Sequence, residues 1–232
     1  MSPRFRAFRS AAAAPLAIGV ATALAVAWVW GSSAPIPILN DEASYLLQSQ
    51  IFATGRWVAP GRPLPEFFEQ LHVFVTPVLA SKYPPGHAIF LALGTVVGRP
   101  ALVPIAIGGV CGGLLFLLAR KVADPATALL AWAVWISAPG VLAFFPSFLS
   151  ETSSAALWLA GSWGLLEWWR GRKRSWLLLL GACVGWGALT RPLTHLALAV
   201  PAPPPSSRSL RRGDAPGAIC SPRWLSAARS WR

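Results

Sequence analysis

Five runs of Ala, Val, Leu, Gly and Trp divide the chain: Ala11 to Trp30, Ala101 to Ala119, Ala126 to Phe145, Ser154 to Trp169 and Trp176 to about Leu189. No water inside a bilayer satisfies open backbone groups, so a chain crosses it only as a helix of about 20 residues or as a closed barrel. The expected fold is therefore an all-α integral membrane protein with about five transmembrane helices. Charged residues make up 12% of the chain, half the roughly one quarter of a soluble domain. An ordinary soluble enzyme is excluded.

The formal net charge is +12, which in a soluble chain would suggest a nucleic-acid partner. Here the basic residues sit in short clusters between apolar runs, as topology signals do, and no nucleic-acid partner is expected. With Lys and Arg on the cytoplasmic side, Arg4, Arg6 and Arg9 keep the N-terminal residues 1–10 inside. Arg120-Lys121 and the run Arg170, Arg172, Lys173, Arg174 then fall on that same side. The first loop, residues 31–100, lies outside, and with it Asp41, Glu42, Glu66 and Glu69; Glu151 also falls at the outer face. The alternative for the first run, a cleaved leader, is weakened by its length and by the absence of a small-residue cleavage site before Pro35. Cys111, Cys183 and Cys220 have no metal-type spacing and suggest no disulfide framework.

The outer loop is far longer than a simple connection, and loops beyond about 12–15 residues usually carry function. Two segments in it have the pattern of amphipathic juxtamembrane helices. One sets Ala43, Leu46, Leu47 and Ile51 against Ser44, Gln48 and Ser49; the other runs from His87 to Val97 after a Pro-Pro-Gly break. Asn40 and Asp41 are natural N-caps, and Glu42 suits the positive end of a helix dipole. The same loop holds Glu66, Glu69, His72, Lys82 and Tyr83. Carboxylates, a histidine and a cation beside apolar helices suit a lipid with an anionic head group: a base for an acceptor, a cation for a phosphate, an apolar surface for a tail.

A first span followed by Asp41-Glu42 and Tyr45, then Ser81-Lys82-Tyr83-Pro84-Pro85-Gly86-His87, a short helix and a Gly-rich span ending in Arg-Lys resembles the membrane-integral C-type glycosyltransferases. The likeness is to bacterial members of the dolichyl-phosphate-mannose protein mannosyltransferase family and to the lipid A aminoarabinose transferases. Leu149-Ser150-Glu151 and Leu189-Thr190-Arg191-Pro192 fit the same scheme, and the likeness spans roughly Ala11 to Pro201. It implies transfer of a sugar from a polyprenyl-phosphate donor to a protein, glycan or lipid acceptor, by an inverting displacement outside a bacterial plasma membrane. In that scheme Asp41 is the general base toward the acceptor, Glu42 supports it, and Lys82, with Tyr83 beside it, meets the donor phosphate.

Other residues keep two readings. Glu151 is either a further catalytic carboxylate or part of the first turn of the fourth span. Arg191 is costly to leave unpaired in lipid, so a phosphate or Glu151 is expected as its partner. Glu69 and His72 are candidate ligands for a divalent metal ion, set against a solvated loop; no other cofactor is indicated. From Pro201 the sequence turns to Arg, Ser, Pro and Ala without apolar periodicity, so residues 201–232 are expected to be a disordered, aberrant tail on the N-terminal part of a larger transferase. The competing reading is a non-enzymatic polytopic membrane protein or a transporter fragment, with its ionisable groups lining a path.

Overall fold

A computed structural model describes the backbone of residues 3–31 and 36–199, and the side chains of that set from residue 13 onward. The tail at 201–232 lies outside the described residues, and the side chains of Arg4, Arg6 and Arg9 outside the described side chains. The elements are α1 (Pro3–Trp30), α2 (Asn40–Ala53), β1 (Ala59–Pro60), a 3-10 turn at Pro65–Phe67, β2 (Val73–Phe74) and β3 (Val78–Ser81). There follow α3 (Gly86–Val96), α4 (Leu102–Val122), α5 (Pro125–Ile136), α6 (Pro139–Phe144), α7 (Glu151–Gly171), α8 (Arg174–Ala188) and α9 (Pro192–Ala199). This is a mostly helical membrane protein. Two of its described helices, through Ala13–Trp30 and Leu102–Val122, are long and apolar enough to cross a bilayer.

The remaining expected spans are more broken than their composition suggests. The run Ala126 to Phe145 is two helices, because Pro139 restricts the residue before it: Ala138 is extended, with φ −65° and ψ 131°. The 12 residues of α5 rise about 18 Å, short of the roughly 30 Å hydrocarbon core. Helix α7 has the length of α4, 21 residues each, but carries Glu151, Glu167 and Arg170 near its ends.

Helices α1 and α4 approach through glycine. A Cβ on Gly109 would stand 2.9 Å from the Gly19 carbonyl oxygen, and a Cβ on Gly19 equally close to that of Gly109. Lipid tails give helices little hydrophobic reason to associate, so close backbone approach through small residues supplies the contact. Thr22 is fully buried in this seam; it donates to Ile18 O at 2.8 Å and accepts from Trp132 Nε1 at 2.8 Å, joining α1 to α5.

Helices α4 and α7 bring the basic clusters together. Arg170 Nη2 donates to Lys121 O at 2.8 Å, and Lys121 pairs with Glu167. Glu151 opens α7, so it stands about 30 Å along the axis from this basic end.

At the Glu151 end sits the first loop. β3 lies between β1 and β2, antiparallel to both, with Ala59 opposite Leu79 and Val73 opposite Ser81. Helix α2 turns its polar side to this sheet and to α3, and its apolar stripe is packed as well: Ile51 is buried, Leu46 rests on the Tyr45–Leu91–Phe148 cluster and Leu47 on Val73, Val75 and Leu79. Ser44 and Ser49 are fully buried and Gln48 nearly so, while Leu46 and Leu47 are half-buried. Ser44 Oγ donates to His72 O at 2.8 Å and lies 2.8 Å from Ser81 Oγ; Ser49 Oγ is 3.0 Å from Thr95 Oγ1; Gln48 Nε2 donates to Tyr83 O at 3.3 Å. In a membrane setting polar groups need protein partners, which these hydrogen bonds supply.

Candidate active site

The segment that opens α2 is held by Glu42. Its Oε2 accepts from Ile38 N at 2.8 Å and Leu39 N at 3.0 Å, and its Oε1 accepts from Phe148 N at 2.9 Å. The bond from Leu39 N is the reach-back half of a capping box, and that from Ile38 N extends it by one residue. Leu39 is the N-cap, so Asn40 and Asp41 are the first two helical residues rather than the caps expected of them. Glu42 is 4% exposed. All its hydrogen bonds are to backbone, and they tie α2 to the connection that precedes α7.

Asp41 has the opposite environment. Its side chain is 43% exposed, with Oδ1 3.2 Å from His72 Nε2. The His72 backbone is fixed at its carbonyl by Ser44 Oγ and by Lys82 N at 2.9 Å. The His72 ring leans on Tyr83 at 4.9 Å, Tyr83 stacks on Tyr45 at 4.8 Å, and Tyr45 meets His87 edge-on at 4.9 Å. Burial first, and then the neighbouring Asp41 carboxylate, raise the Tyr83 pKa. Burial likewise raises that of Tyr45, whose hydroxyl donates to Ser150 Oγ at 3.1 Å. Both phenols are hydrogen-bond donors at neutral pH.

His87 locks α3 to α7. Its Nε2–H donates to Phe148 O at 2.8 Å, which leaves Nδ1 to accept from Ser153 Oγ at 2.7 Å. It is completely buried, and desolvation lowers its pKa to about 4, so the ring is neutral. Gly86, one residue earlier, touches the α8–α9 turn: its N donates to Leu189 O at 2.6 Å and its O accepts from Trp186 Nε1 at 3.2 Å. A Cβ there would stand 2.6 Å from Leu189 O, so only glycine permits the approach.

These joints enclose a cleft of about 470 Å³ lined by Asp41, Tyr45, Tyr83, Ser150, Glu151 and Arg191, among others. Arg191 Nη1 is 2.8 Å from Glu151 Oε1. The second oxygen, Glu151 Oε2, is buried with no hydrogen-bond partner among the described residues. A carboxylate, an Arg–Glu ion pair and a set of hydroxyl groups therefore share one opening.

The remaining sequence candidates lie elsewhere. Lys82 is exposed, donates to Leu71 O at 3.2 Å and sits over the Phe74 ring at 5.1 Å; it is not among the residues lining the cleft. Glu69 is exposed, and His72 is turned to Asp41. Among the described residues no three His, Cys, Asp or Glu side chains group as metal ligands. Conversely, the cleft includes Thr190 and Thr194, and its walls rest on His87, none of which had been singled out for a role. Hydroxyls carry no spacing signal of their own, and Thr190 was legible only as a neighbour of Arg191.

The fold and cleft define a helical membrane protein with a polar site at one end of its helices. Residues 82–202, just over half of the chain, match the family model described as dolichyl-phosphate-mannose-protein mannosyltransferase. The chain belongs to that family of glycosyltransferases. No curated protein and no solved structure matches it. The matched stretch contains Tyr83, Glu151 and Arg191, whereas Asp41, which lines the cleft, and Glu42, which accepts from Phe148 N, precede it.

Proposed function

We propose that this cleft transfers a sugar from a polyprenyl-phosphate donor to an acceptor hydroxyl on a protein, glycan or lipid, outside a bacterial plasma membrane. The carrying observation is that the exposed carboxylate of Asp41 and the guanidinium of Arg191, far apart in sequence, line one opening. The acceptor oxygen forms a bond to the anomeric carbon while the bond from that carbon to the donor phosphate oxygen breaks. Asp41 takes the acceptor proton. The phosphate departs as an anion and is stabilised by Arg191, which exchanges Glu151 for it. Tyr45, Ser150 and Thr190 orient sugar and acceptor, His72 steadies Asp41, and Glu42 fixes the backbone beneath it. Lys82 stands outside the cleft, so the phosphate falls to Arg191. The basic ends of α4 and α7 support a cytoplasmic side at that end, with the cleft outside.

Asp41→Asn keeps the size of the side chain and removes the base. In proteoliposomes supplied with a polyprenyl-phosphate sugar, it is expected to lower transfer by about 100-fold or more, the range of a general base, with insertion unchanged. Equal turnover by the variant would contradict the assignment.

A further inference from the structure

A second concavity lies on the same two loop helices, beyond Tyr45 on α2 and beyond His87 on α3. It measures about 420 Å³ and is lined by Phe52, Ala53, Gly55, Arg56, Trp57, Ile89, Ala92, Leu93 and Val96. That volume is within the roughly 300–1,000 Å³ of small-ligand sites.

A specific turn builds it. Gly55 ends α2 at φ 74°, a left-handed conformation that glycine adopts without strain. The chain doubles back, with Gly55 N donating to Phe52 O at 2.9 Å and Arg56 N to Ile51 O at 3.4 Å. Trp57 thereby meets Phe52 edge-on at 5.2 Å.

The lining selects its ligand. It contains no carboxylate for a cation and no side-chain hydroxyl or amide for a sugar. Its walls are alkyl and aromatic, and they continue into the exposed side chains of Leu93, Val96 and Val97. Arg56 supplies one positive charge, is exposed, and makes no ion pair among the described residues. One cation above an apolar trough, with an exposed Trp at its edge, is the complement of a single anionic head on an apolar tail.

We propose that the groove binds an anionic phospholipid, with one acyl chain along Phe52, Ile89, Leu93 and Val96 and the lipid phosphate on Arg56. The site is separate from the sugar-transfer cleft and does not rest on it. It would hold α2, and so Asp41 at the other end of that helix, at a fixed depth in the leaflet.

The test is native mass spectrometry of the full chain released from nanodiscs containing equal phosphatidylglycerol and phosphatidylcholine of one chain length. The wild-type chain is expected to retain phosphatidylglycerol over phosphatidylcholine by about fivefold, the factor expected for one cation at an anionic lipid. Arg56→Gln should bring the two lipids close to parity. Arg62→Gln, which removes a neighbouring loop cation near the Phe68 ring, should leave the preference intact. Absence of preference in the wild type, its persistence in Arg56→Gln, or equal loss in Arg62→Gln would overturn the proposal. So would retention of added polyprenyl phosphate in place of phosphatidylglycerol, because the groove would then belong to the donor.

Discussion

Asp41 and Glu42 differ by one methylene and one position, yet the structure gives them different work. Glu42 satisfies three backbone N–H groups in a buried joint, and Asp41 faces the cleft. The sequence marks the pair as polar at a membrane boundary, but the division between them depends on Phe148, a contact that local pattern does not reveal. Glu42→Gln replaces one acceptor oxygen with a donor that faces a backbone N–H. A charged hydrogen bond contributes about 1.5–3 kcal/mol, so a thermal melt in detergent should show a clear loss of stability. His87 adds a pH dependence. Its folded pKa is about 4 against an ordinary 6.5, so between those values the unfolded chain binds a proton that the folded chain does not. Its contribution is full above about pH 6.5 and declines as pH falls toward 4. Melting temperature should drop across that window, and less steeply in His87→Gln.

Helix α2 was recognisable from its 3.6-residue period, but not that both of its faces are packed. Periodicity locates two faces and suggests a helix at the membrane surface, without naming partners for the polar one. Here Ser44, Gln48 and Ser49 turn inward because β3, α3 and the His72 carbonyl provide their partners. Pro139 marked the break between α5 and α6 in plain sight, although the hydropathy of the run conceals it. The α1–α4 seam was legible in Gly108-Gly109 and Gly112-Gly113 as small residues, while the opposing Gly19 emerges only from packing. Gly109→Leu would force these backbones apart. Overpacking of this kind costs about 1–3 kcal/mol, and the loss should appear as a lower melting temperature together with easier proteolysis of α1.

At the scale of the molecule, the order of apolar runs and basic clusters anticipated one end rich in cations and another carrying the loop. The contact of Arg170 with Lys121 and the cleft at Asp41 and Glu151 follow that division. Less legible was which cation belongs to the cleft. Lys82 and Arg191 both follow motifs, but the bond from Gly86 to Leu189 brings the α8–α9 turn to the loop, so Arg191 lines the opening while Lys82 rests against Leu71 and Phe74. On the proposed function, the donor sugar phosphate lies in this cleft. A polyprenyl-phosphate sugar with a photoactivatable group on the sugar, irradiated with the chain in proteoliposomes and mapped by peptide sequencing, tests it without requiring turnover. Labelling is expected on the peptides carrying Tyr45, Tyr83, Ser150 to Glu151 and Thr190 to Thr194, and to fall about tenfold in Arg191→Gln, as loss of a charge-assisted phosphate contact predicts. Labelling confined to the Phe52–Leu93 groove or to the basic ends of α4 and α7, or unaffected by Arg191→Gln, would contradict it.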